Sequence, residues 1–342
     1  MHELTNLELH FIVQELQRLV GTHLEQVYGA GDERFRLKFR GASGGEVIVD
    51  LKRKLIYFTK RVEKSEAEPD DFVSGLRRRL ENAKVEAVEQ HKFDRVVVFR
   101  LRSKEGTFNL IIEIFSNGNI VVCDDSLAIV QCLRREEWKD RKIAVHEKYI
   151  FPHSGPFEPG ALGDAKLDAM MTEKHIIATL ARAVPLGTIY LEEALAKADI
   201  SPTEKGREVE TKRLKALASA IKEIMTAKVF SVHHLERGPQ FSCYPLSDYE
   251  SAKRTEYKTL SECIDEALAA APAEPAVDQK LLHEKEKLEH ALREQKEALA
   301  GFEKEEAESR EKADAIYASY QEVEEKLKEA REKGKHKIEL EL

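Results

Sequence analysis

Phe93 to Asp125 reads FDRVVVFRLRSKEGTFNLIIEIFSNGNIVVCDD, and two signals in it decide the fold of the first domain. Asp94 and Arg95 precede the apolar run Val96, Val97, Val98, Phe99, an acid and a base at a strand start. Leu110 to Phe115 and Ile120 to Val122 then flank Ser116, Asn117, Gly118 and Asn119, and Asn-Gly between apolar runs signals a hairpin. Polar groups thus collect where strands begin and end, where active surfaces are often built.

Outward from this stretch, VEAVEQ, DRVVVFRL, TFNLIIEIF, NIVVCD and LAIVQCL predict an antiparallel meander, preceded by a helix FVSGLRRRL capped at Asp71. Nearer the start, Leu7, Phe11, Val13, Leu16, Leu19 and Val20 recur at helical spacing behind a Thr5-Asn6 cap, and Gly21 ends the helix. Arg34, Arg36, Lys38 and Arg40 alternate with Phe35, Leu37 and Phe39, which predicts a strand with one basic face. EVIVDL and LIYFT follow as a hairpin with Lys52, Arg53 and Lys54 in its turn, and an acidic linker, EKSEAEPDD, leads on to the helix. Residues 1–153 therefore read as an α+β domain, closed by a Pro- and Gly-rich boundary from Pro152 to Gly163.

Residues 170–228 read as compact helices broken at Val184 to Gly187 and Asp199 to Gly206. Residues 229–277 read as a connecting segment packed on those helices and ending in an Ala-Pro-Glu linker. From 278 to 335 a heptad register places Leu281, Leu288, Phe302, Ile316, Val323 and Ala330 at one position and Leu292, Leu299, Ala313, Tyr320 and Leu327 at the other. That pattern predicts a coiled-coil helix of ~80 Å.

No apolar run approaches the ~20 residues that span a bilayer, and the opening MHELTNLELH is too acidic for an export signal, so a cytoplasmic protein is expected. Cys123, Cys132, Cys243 and Cys263 form no CxxC pair, and His233-His234 has no ligand at metal spacing, so reduced, structural thiols and no metal are expected. The net charge of -8 divides unevenly: residues 1–155 hold 26 Lys+Arg against 25 Asp+Glu, leaving 55-26=29 against 63-25=38 beyond. A near-neutral first domain is compatible with a basic, RNA-binding face.

Five segments carry a resemblance: Thr5 to Tyr28, Phe72 to Phe99, Ile111 to Asp125, Glu147 to Pro152 and Glu311 to Leu327. In this order they are similar to the NFACT family, whose members RqcH and NEMF serve ribosome-associated quality control. The resemblance implies a β-sandwich-like first domain akin to DNA glycosylases and a helix-hairpin-helix domain. A coiled-coil hairpin and a further RNA-binding domain would follow in the family, whereas here KHKIELEL, alternating like a strand, closes the sequence. It implies a factor that binds the large ribosomal subunit with a stalled nascent chain and recruits transfer RNA, as alanine transfer RNA, for template-free alanine tailing. The peptidyl transferase centre would make the bonds, with no cofactor, membrane or DNA involved.

Transfer-RNA contacts are then expected at Asp94 and Arg95, the pair the family requires, and at Glu8, Glu113, Asn117 and Asn119, with phosphate contacts at Arg53, Arg77, Arg78 and Arg79. Each has a plainer reading. Asp94 and Arg95 would cap a strand, Glu8 would be a solvated helix carboxylate longer than the family's usual Asp, and Glu113 would pair with a neighbouring Arg. Asn117 and Asn119 would serve the turn, and three consecutive arginines cannot share one helix face. Two other functions compete. A base-excision glycosylase would attack with an amino-terminal proline, whereas this chain begins Met1-His2; a surface adhesin would need an export signal.

Overall fold

A computed structural model describes residues 1–29, 33–61, 69–138, 140–152, 157, 164–236, 238–271, 310, 318 and 320–332. The chain divides into two units, Met1–Pro272 and Ala273–Leu342.

Helix α1 (Asn6–Leu16) opens the first unit. Thr5 and Glu8 form a reciprocal capping box, the Thr5 side chain accepting from the Glu8 N–H and the Glu8 carboxylate from the Thr5 N–H. Strands β1 (His23–Gly29), β2 (Arg34–Arg40), β3 (Gly45–Asp50) and β4 (Leu55–Thr59) form one antiparallel meander. Strands β5 (Ala83–Gln90), β6 (Val96–Ser103), β7 (Gly106–Glu113), β8 (Asn119–Asp124) and β9 (Ile129–Cys132) form a second. Between them lies α2 (Asp71–Leu80), capped by Asp70 one residue earlier than expected.

The meanders are not separate sheets. A short β1–β5 contact, His23 opposite Lys84 and Leu24 opposite Ala83, joins them into nine strands in the order β4-β3-β2-β1-β5-β6-β7-β8-β9. Three strand spacings in a flat sheet amount to ~14 Å. Yet Phe39 of β2 and Phe99 of β6 stack with ring centroids 6.0 Å apart, so the sheet folds over at the β1–β5 seam and its two halves face each other across a core. The ribbon β10 (Glu136–Trp138) and β11 (Arg141–Ile143) follows β9.

Helix α3 (Asp164–Met170) starts the helical region earlier than expected, and α4 (Ile176–Ala183), α5 (Thr188–Lys197) and α6 (Thr211–Thr226) occupy the span expected to be helical. The α4–α5 turn ends at Gly187, whose φ of 104° and close approach to the Thr5 side chain both demand glycine. The region beyond is more than a connector. Strands β12 (Phe230–Leu235), β13 (Gly238–Ser242) and β14 (Lys253–Tyr257) make a three-stranded sheet, and α7 (Leu260–Ala270) packs on it and on β4 and α1. One apolar cluster runs from Leu4 to Ala267, so all of these elements share a core.

In the second unit α8 (Tyr320–Glu332) is helical as the heptads require, with Val323 and Ala330 buried and Leu327 exposed. The heptad positions from Leu281 to Phe302, the KHKIELEL strand pattern and most of the acidic linker lie outside the described residues.

Candidate functional site

The first strand-end signal builds a surface at the start of β6. Lys92 (φ 43°) and Phe93 (φ 58°) are both left-handed, a conformation that costs a bulky residue on the order of 1–3 kcal/mol. The turn is held from several sides: Phe93 packs between His10 and Phe157, Asn6 Nδ2 donates to the Phe93 carbonyl (2.8 Å), and Gln90 Nε2 donates to that of Asp94 (3.0 Å). This fixes where the next two side chains point. Asp94 Oδ1 accepts from the Arg95 N–H (2.7 Å), and Arg95, 27% exposed, reaches the outlying Glu3 carboxylate at 2.8 Å. An ion pair this open to water contributes about 0–1 kcal/mol, so a phosphate could replace Glu3 at little cost.

Strand register brings the second signal to the same place. Val96 pairs with Glu113, Glu113 pairs with Asn119, and the Ile114 N–H donates to the Arg95 carbonyl at 3.0 Å. The strand ends at Glu113, two residues before the apolar run does, because Ser116 (φ 53°) and Gly118 (φ 72°) need a wider loop than a two-residue turn. Glu113 is buried: the Arg141 guanidinium pairs with it and the Tyr149 hydroxyl donates at 2.5 Å. Burial, reinforced by the Glu113 charge, pushes the Tyr149 hydroxyl well above its usual range and keeps it a donor. Asn119 is also buried, exchanging hydrogen bonds with the Arg134 main chain at 3.0 and 3.1 Å. Arg134 in turn donates to the Asn117 carbonyl at 2.9 Å, leaving the Asn117 side chain exposed.

The molecule resembles known proteins in sequence and in fold. A family model described as the NFACT N-terminal and middle domains matches residues 5–341. The chain belongs to the NFACT family. Over 356 residues it is 30% identical to the archaeal Rqc2 homolog aRqcH of Methanocaldococcus jannaschii, covering 97% of this chain and 53% of that protein. It is 27% identical over 158 residues to the human ribosome quality control complex subunit NEMF, covering 45% of this chain and 15% of that protein. The chain thus spans about half the length of the first relative and less of the second. Among solved structures, the fibrinogen binding protein from Staphylococcus aureus superposes with a TM-score of 0.65 at 14% identity, covering 76% of this chain and 97% of that one, a likeness of fold.

Within this NFACT fold the remaining expected contacts separate into inner and outer residues. Glu8 does not reach the surface. It is fully buried and accepts from His2 Nε2 (2.8 Å), the Tyr190 hydroxyl (2.6 Å) and the Thr5 N–H (2.8 Å), which makes it a structural carboxylate joining α1 to α5. Burial alone would raise its pKa, but His2 and these donors hold it below the usual value. Arg77 Nε donates to the Val27 carbonyl (2.7 Å) and Arg79 to Gln131 (3.0 Å), so both pin α2 to the sheet and only Arg78 is exposed. Arg53 folds back on Asp50 at 3.0 Å. Two of the four cations on the basic face of β2 are neutralised, Arg36 by Glu46 (2.8 Å) and Lys38 by Glu25 (3.1 Å). Sequence reasoning named no role for Arg134, Arg141 or Tyr149, which hold the site together; the available signals were the run of cations around Trp138 and the resemblance at Glu147 to Pro152, which contains Tyr149.

Proposed function

We propose that this chain is a ribosome quality-control factor of the cytoplasm that grips transfer RNA at the β6 start while the large ribosomal subunit holds a stalled nascent chain. The carried species would be alanine transfer RNA, and the outcome template-free alanine tailing. The protein positions; the ribosome makes the bond. What supports this reading is the name borne by the NFACT relatives together with one observation: a strained turn holds Asp94 and Arg95 half-buried at the strand start, where Arg95 pairs with the exposed Glu3 carboxylate. Such a site orients a phosphate and a ribose hydroxyl or base N–H without needing a nucleophile.

The test is binding of labelled transfer RNA by the wild type and by Asp94→Ala/Arg95→Ala, with melting temperatures measured in parallel. The variant should bind about tenfold more weakly or worse, the loss of a charge-assisted contact, at an unchanged melting temperature. Undiminished binding, or a matching fall in melting temperature, would overturn the assignment. The wild type should also sediment with free large subunits and leave an abasic DNA duplex intact; cleavage would instead make it an enzyme.

A further inference from the structure

The β10–β11 ribbon hangs from the same strand end, and its alternation fixes what faces the site. Glu136 reaches Asn119 (3.5 Å), and Arg141 pairs with Glu113. Trp138 lies two residues from Glu136 and directly opposite Arg141 in the register, so it shares that face. Its indole is nevertheless 42% exposed. The Arg141 guanidinium carbon lies 5.3 Å from the ring centroid and is itself locked by Glu113 and by the Tyr149 ring at 5.0 Å. The indole is therefore braced by a cation and still open to solvent, with exposed Arg135 just before the ribbon. The acid on the opposite face, Glu137, stands across from Lys142.

We propose that Trp138 is a stacking platform for an unpaired base of the RNA whose phosphate Arg95 takes. This rests on the transfer-RNA reading above and adds the second half of the contact. A single-stranded nucleotide offers a π-face and an anionic backbone together, and an aromatic ring braced by the fixed Arg141 guanidinium, with exposed Arg135 on the same segment, matches both. A blunt duplex keeps its bases stacked inside and offers only phosphates. A protein partner would be served better by apolar neighbours than by cations beside the ring.

The chain contains one tryptophan, so its emission reports position 138 alone. The full chain is titrated with transfer RNA and, separately, with a blunt RNA duplex of equal nucleotide count, while anisotropy of the end-labelled RNA follows binding independently. Transfer RNA should quench the emission saturably and the duplex should not. Trp138→Ala should weaken transfer-RNA binding by roughly 5- to 150-fold, and Trp138→Phe, which keeps a ring, by less. If transfer RNA binds by anisotropy with emission unchanged, or if the duplex quenches equally, the platform is wrong and the Arg95 contact stands. If the wild type binds no transfer RNA, both fall. The wild-type emission decides the matter even where the alanine variant is less stable.

Discussion

Glu8 accepts from three donors and has no access to water, so Glu8→Ala strands the buried Tyr190 hydroxyl and takes away the partner of the half-buried His2. A loss of roughly 3 kcal/mol in chemical denaturation is expected. Transfer-RNA affinity per folded molecule should stay unchanged, in contrast to the Asp94→Ala/Arg95→Ala pair; a specific affinity loss would return Glu8 to the ligand surface. His233 titrates in the opposite environment from His2. Burial, and then Arg254 beside it, pushes His233 down to about 4, and its Nδ1 has no hydrogen-bond partner among the described residues. Between that value and the ordinary 6.5 the unfolded chain binds a proton that the folded chain refuses. Its stabilising contribution is therefore complete above pH 6.5 and is lost as pH falls toward 4. Melting temperatures at pH 7 and pH 5 should differ more for the wild type than for His233→Asn, and equal slopes would refute this.

At the scale of elements, β4 is the outer strand of the large sheet, and an open edge invites pairing with other chains. Helix α7 closes it with side chains. Ser261 Oγ accepts from the Phe58 N–H (3.1 Å), while Asp265 accepts from the Lys60 N–H (3.1 Å) and the Thr59 hydroxyl (2.8 Å). Helix α1 then holds the α7 N-terminus, where the Glu15 carboxylate accepts from the Leu260 N–H at 2.7 Å. Asp265→Ala should cost about 1–3 kcal/mol and speed hydrogen exchange at the Lys60 amide, with exchange at the β6–β7 amides unaltered. A variant with native exchange at Lys60 would show that the helix covers the edge by shape alone. None of this could be read from residues 229–277, where aromatic and polar residues alternate over strands of only five or six residues and resemble a connector.

For the whole first unit, the shared core from Leu4 to Ala267 implies one cooperative transition for a fragment of residues 1–272. A fragment cut at residue 228 should lose that cooperativity, because the β4 edge and one side of α1 would be bare; calorimetry on the two fragments distinguishes them. The amino-acid sequence alone determined the β-hairpins, the α1 cap and the three helices from 176 to 226, because each is written in spacings of two to four residues. Helical period required only that Arg77, Arg78 and Arg79 not share one face; that two of them anchor α2 and one is exposed came from the strands packed beside the helix. Only the tertiary structure decided that Glu8 meets Tyr190 across 182 positions, that Arg36 and Lys38 of β2 are met by acids on neighbouring strands, and that Arg141 joins Trp138 to Glu113. Local pattern tells a side chain which face it occupies, but what that face meets depends on how the sheet folds at the β1–β5 seam and which elements close over it, and no short window of residues contains that information.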